Sequence, residues 1–201
     1  MHELRALIKG EVFDYQILKY CLRDYKKPRD KVTLLLESGN LIRLKRGLYT
    51  FGGPYRKGLI SLEVVAAMLV QPSYISREYA LQRFLPERVE RVTSITTRKK
   101  KHFETAIGKF DYYSISREKF SVGVAAKDVP QEGGYLCATK EKALADWVAS
   151  LPLIPSKENL DFFLFEEARI DAAALLPLDR PLLEEICKLY RNSNVELLLQ
   201  L

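Results

Sequence analysis

Histidine and cysteine are scarce in this 201-residue chain: His2 and His102 are the only histidines, and Cys21, Cys137 and Cys187 lie far apart. A centre built on two histidines is excluded, as are a disulfide framework and a closely spaced zinc knuckle. The longest apolar run is the stretch Val64–Val70, far short of the ~20 residues that span a bilayer. Met1-His2-Glu3 opens no basic-then-apolar leader. These absences predict a cytoplasmic protein in a reducing compartment, neither exported nor membrane-embedded. No glycine-rich phosphate loop, nucleophile elbow or histidine-containing zinc motif occurs. A metal-dependent nuclease would place an Asp on a strand near a Glu-x-Lys, and no Glu-x-Lys occurs after Gly58. Asp111 and Glu141 read as ordinary surface carboxylates, His102 as an exposed turn residue and Cys137 as core. No enzyme activity, cofactor or metal is expected.

What is present is ordinary globular material, 47% apolar and 29% charged, with a net charge of +6. The charge is unevenly spread. Residues 1–57 hold 13 Lys/Arg against 6 Asp/Glu, a net of +7, whereas residues 121–201 hold 8 against 13, a net of −5. A basic front joined to an acidic end is the asymmetry expected when one part meets a polyanion.

The basic part has a readable pattern. Asp14 is placed to cap a helix whose stripe is Ile17, Leu18, Cys21 and Leu22. Pro28 suits the first position of the next helix, with Val32, Leu35 and Leu36 facing inward. Gly39-Asn40 stops it. Leu41–Leu44 and Leu48–Phe51, around Lys45-Arg46-Gly47, predict a β-hairpin. Two helices and a hairpin predict a winged helix-turn-helix over residues 1–57. Lys26, Lys27, Arg29 and Lys31 fall in the inter-helix turn and the first turn of the second helix, where a recognition helix meets the major groove. Lys45 and Arg46 fall at the hairpin tip, where a wing meets phosphates; Thr33, Arg43 and Arg56 complete the predicted DNA-binding set. The competing reading is a protein-interaction module with a solvated basic face.

Residues 58–201 predict an α/β domain: a helix over Leu62–Leu69, a short strand at Tyr74-Ile75 and a helix over Glu78–Phe84. Strands are expected in the β-branched run Val92–Thr97 and then over Phe103–Ile107, Phe110–Ile115 and Phe120–Ala125. Thr139 is a candidate N-cap. A helical tail follows, surest at Leu160–Phe165 and Leu182–Tyr190. The whole is predicted to be α+β: a winged helix-turn-helix, then a bent, mostly antiparallel sheet of about four strands with a helical C-terminal tail.

Three segments carry a family resemblance. Leu35–Tyr49, with its Gly39-x-Leu41-x-Arg43 string and Gly47-x-Tyr49, resembles the winged-helix half of AbiEi-type antitoxins of bacterial abortive-infection systems. Ser73–Leu81 and Cys137–Asp146 are similar to two further segments of that family, with Lys140 standing where proline is frequent. The resemblance implies an antitoxin that represses its own promoter at inverted repeats in double-stranded DNA. It also implies a nucleotidyltransferase-like toxin as functional partner, counteracted without a required stable complex. On that reading the basic strip Arg98, Lys99, Lys100 and Lys101, beside Phe103, is the expected antitoxin surface. The alternatives are a plain regulator controlled by a ligand or by oligomerisation, and a nuclease-like enzyme with a degenerate site.

Overall fold

Capping chemistry sets most of the helix starts. In the computed structural model, which describes residues Met1–Leu201, helix α1 (His2–Leu7) leads through strand β1 (Val12–Asp14) into helix α2 (Tyr15–Cys21). The Asp14 carboxylate accepts from the Ile17 N–H at 2.9 Å, satisfying a donor that the first turn cannot. Helix α3 (Pro28–Glu37) opens on Pro28, whose missing N–H would have had no partner there. Strands β2 (Leu41–Lys45) and β3 (Leu48–Phe51) pair antiparallel around Arg46-Gly47. Gly47 sits at φ +84°, which a side chain would strain. β1 pairs with the other edge of β3, so the small sheet runs β1-β3-β2. Three residues are too few for β1 to show a readable alternation.

Helix α4 (Leu62–Leu69) spans the expected residues and is capped by Ser61, whose Oγ accepts from the Val64 N–H. There follow β4 (Ser73–Ile75), α5 (Arg77–Ala80), β5 (Arg91–Thr96), β6 (Lys101–Thr105), β7 (Gly108–Ser114), β8 (Val124–Val129) and β9 (Gly133–Ala138). Helices α6 (Lys140–Val148), α7 (Lys157–Asp161), α8 (Ala172–Leu175), α9 (Arg180–Tyr190) and α10 (Ser193–Leu197) complete the chain. Ten helices and a mixed sheet make the fold α+β.

The larger sheet corrects the expected number of strands, and its pairing is mixed, with three of five pairs antiparallel. It has six strands in the order β6-β7-β5-β4-β9-β8. The pairs β4–β5, β6–β7 and β8–β9 are antiparallel, while β4–β9 and β5–β7 are parallel. β9 is the second arm of a tight hairpin with β8, for which Pro130 and Gly133 were the available signal; only its parallel place beside β4, which no hairpin marks, was hidden. Several ranges also shift: β6 and β7 each begin two residues before the strands expected from Phe103 and Phe110. Residues 120–123 lie outside any strand and β8 begins only at Val124; the helix after Ser76 ends at Ala80, with a 3-10 turn at Gln82–Phe84.

Alternation gives the sheet two distinct faces. Ile75, Val92, Phe110 and Tyr112 share an apolar cluster with Val65, Ala66 and Leu69 of α4. Leu44 and Leu48 of the β2–β3 hairpin belong to the same cluster, so the hairpin is seated on the larger sheet. On the other face, Tyr74 and Ser76 reach α6 through Asp146. Beyond them a second core joins Leu144, Trp147 and Val148 of α6 to Leu183, Ile186 and Tyr190 of α9. No helix is long and apolar enough to cross a membrane.

Candidate functional site

The structure places Lys26 and Lys27 in the connection between α2 and α3, and Arg29 and Lys31 in the first turn of α3. Lys26, Lys27 and Arg29 are exposed. Lys31 is half-buried and leans back over the Tyr25 ring, 5.4 Å from its centroid. Lys27 lies 3.9 Å from Asp30, but both side chains are largely in water, so the pair holds the lysine weakly. Thr33 is exposed, and its Oγ1 donates to the Arg29 carbonyl one turn back. Tyr15 and Lys19 of α2 join Lys27, Pro28 and Arg29 around a shallow groove of about 520 Å³. Those two residues were missed in the sequence; their i,i+4 spacing on one helix face was the available signal.

Arg43 and Arg46 are exposed on β2 and at the hairpin tip. Arg56 is exposed after β3, its Nη2 within 3.4 Å of the Phe51 carbonyl. Lys45 behaves differently. Its ammonium donates to the carbonyls of Met68 and Leu69 at 3.0 and 2.6 Å. These carbonyls belong to the last turn of α4, where acceptors are unpaired and the helix dipole favours a cation. Desolvation pushes the Lys45 pKa down, with Lys101 adding repulsion. Lys45 is therefore a fastener between the hairpin and the larger body.

The linker is fastened too. The Glu11 carboxylate, ion-paired with buried Arg5 at 2.5 Å, accepts from the N–H groups of Lys57 and Gly58, both at 3.1 Å. Replacing Lys45 by Met keeps most of the stem and removes both bonds. The expected loss is about 1.5–3 kcal/mol of unfolding free energy, read from the denaturant midpoint.

The strip Arg98–Lys101 is exposed, as expected, but its members diverge. Lys101 begins β6 opposite Tyr112, and Phe103 packs edge-on against Tyr112 at 5.8 Å, on the α4 side. Lys100 instead lies 5.1 Å from the Tyr113 ring, on the α6 side. Phe103 therefore does not accompany Lys100. His102 is a strand residue rather than a turn residue; its Nδ1 is 2.6 Å from Asp111, which also pairs with Arg91. Glu141 is buried rather than at the surface as expected, because it accepts from the Asp179 N–H at 3.0 Å and fixes the start of α9. Burial pushes the Cys137 thiol up, away from the thiolate a nucleophile needs.

The two later segments singled out in the sequence meet in space. Asp146 Oδ2 accepts from the hydroxyls of Tyr74 at 2.9 Å and Ser76 at 2.6 Å, and Oδ1 accepts from Tyr190. Lys142, fully buried, lies 3.6 Å from Asp146 and donates to Tyr190 Oη at 2.5 Å and to the Lys119 carbonyl at 2.6 Å. Desolvation pushes the lysine pKa down, and Asp146 opposes that shift. Gly123 at φ +70° lets the chain pass this lysine, since a Cβ there would meet the Lys142 Cβ at 2.8 Å. Lys140 donates to the carbonyls of Leu175 and Pro177. No protein-family model matches the chain, and no curated protein matches it at a significant level.

Proposed function

We propose that this chain is a non-enzymatic, DNA-binding regulator of the AbiEi antitoxin type. Its residues 1–57 act as a winged helix on operator DNA, with the larger body serving the antidote function against a nucleotidyltransferase-like toxin. The observation that carries the DNA reading is the set of exposed cations at the start of α3 and on the hairpin: Lys26, Lys27, Arg29, Arg43 and Arg46. Three helices followed by a hairpin, with charge on the two elements that would touch a duplex, support that reading. Lys45 leaves the set because α4 holds it.

The hairpin shares its apolar cluster with α4, so the test uses the full chain. Binding to duplex DNA across salt concentrations should give a log–log slope near −4 to −5, from about four to six phosphate contacts at roughly 0.9 each. Arg46→Ala should reduce the slope by about one, with no change in sequence preference. Arg29→Ala should cost about 1–3 kcal/mol on the preferred sequence and relax selectivity. A flat salt response, or no binding at low salt, overturns the proposal.

A further inference from the structure

A cleft of about 380 Å³ opens between the sheet and helices α6 and α9, lined in part by Arg77, Tyr113, Lys119, Asp146, Tyr190 and Asn192. Arg77 is 7% exposed, yet its Nε and Nη1 have no hydrogen-bond partner. Its Nη2 alone is engaged, with Glu78 at 3.1 Å. Buried guanidinium donors without acceptors are costly, and native structures leave few of them. The arginine holds φ at +58°, a backbone state that non-glycine residues adopt mainly where the surroundings enforce it, often around ligands. Its guanidinium carbon lies 3.9 Å from the Tyr113 ring centroid, within cation–π contact of that ring.

Two more cations stand close by. Lys100 is 5.1 Å from that same Tyr113 ring, and Lys119 is 5.1 Å from the Tyr190 ring. The one carboxylate in the lining, Asp146, already accepts three hydroxyl donors and faces Lys142, so its charge is spent within the protein.

We propose that this cleft is a binding site for a phosphate group, free or as a monoester, whose oxygens accept from Arg77 Nε and Nη1 while Lys100 and Lys119 balance the remaining charge. Arginine's planar fork fits a phosphate in two-point fashion. The phosphate can come from the inorganic ion or from a nucleotide. This site is independent of the DNA reading, since no residue of α3 or the hairpin contributes to it.

The test is isothermal titration of the full chain with inorganic phosphate and, separately, with adenosine 5′-monophosphate, in about 0.15 M salt, where exposed charges are screened beyond ~8 Å. Saturable binding at one site per chain is expected for at least one of them. Monophosphate at least about fivefold tighter than phosphate identifies a nucleotide-like ligand, and equal affinity identifies the free ion; both support the site. Arg77→Gln should weaken binding about tenfold or more, and the double variant Lys100→Gln/Lys119→Gln about three- to tenfold. No saturable binding of either probe, or wild-type affinity in Arg77→Gln, overturns the proposal. If Arg77→Gln proves unfolded by circular dichroism, the lysine double variant decides: weakened binding supports the site, and unchanged binding overturns it.

Discussion

Asp146→Ala is expected to destabilise the chain by about 3–5 kcal/mol, because it strands the fully buried ammonium of Lys142 without a counter-charge. The same change leaves the hydroxyls of Tyr74, Ser76 and Tyr190 without their acceptor. Such a loss is a large share of the ~5–15 kcal/mol that holds a typical domain together. Denaturant unfolding followed by circular dichroism measures it. The double variant Asp146→Leu/Lys142→Met should recover most of the loss, since removing both charges also removes both desolvation penalties. A loss below about 1 kcal/mol in Asp146→Ala would show that water reaches Lys142 and that the network is not closed.

Alkaline pH should unfold the protein steeply. Burial pushes the hydroxyl pKa values of Tyr74, Tyr112 and Tyr190 far up, and Asp146 raises those of Tyr74 and Tyr190 further. Their folded pKa values exceed the unfolded value of about 10, so their contribution to stability is complete below pH ~10 and is lost as pH rises above it. Each withholds one proton that the unfolded chain releases, at about 1.4 kcal/mol per pH unit, or about 4 kcal/mol per unit for the three together. Lys142 has its pKa pushed down and acts in the opposite sense, but only until about pH 10.4, where the unfolded lysine also deprotonates. Tyrosinate absorbance and circular dichroism recorded in parallel should show these three hydroxyls ionising only as the fold is lost. Ionisation of every tyrosine near pH 10 with the far-ultraviolet signal intact would contradict the buried placement.

The basic surface was legible in the sequence because exposed charge needs little beyond its position on a helix or turn. Lys26, Lys27, Arg29, Arg43 and Arg46 are all exposed on the elements foreseen for them. Lys45 could not be separated from Arg46 by sequence, as both occupy a hairpin tip. What distinguishes them is a bulge between Arg43 and Lys45 and the end of α4 lying within reach of one side chain.

The sequence by itself determined the features governed by neighbours a few residues apart: the Asp14 and Thr139 caps, Pro28 at the head of α3, the hairpin turn at Gly47, and the bounds of α4. Caps and tight turns are closed by hydrogen bonds over two to four residues, so residue type and spacing suffice. Only the tertiary structure decided the parallel pairing of β4 with β9, the partner of Lys45, the closed Asp146–Lys142 network and the free donors of Arg77. Each of these depends on groups brought together from distant parts of the chain. Whether a buried charge is paired, fastened or left open is set by three-dimensional packing and desolvation, which no local pattern encodes.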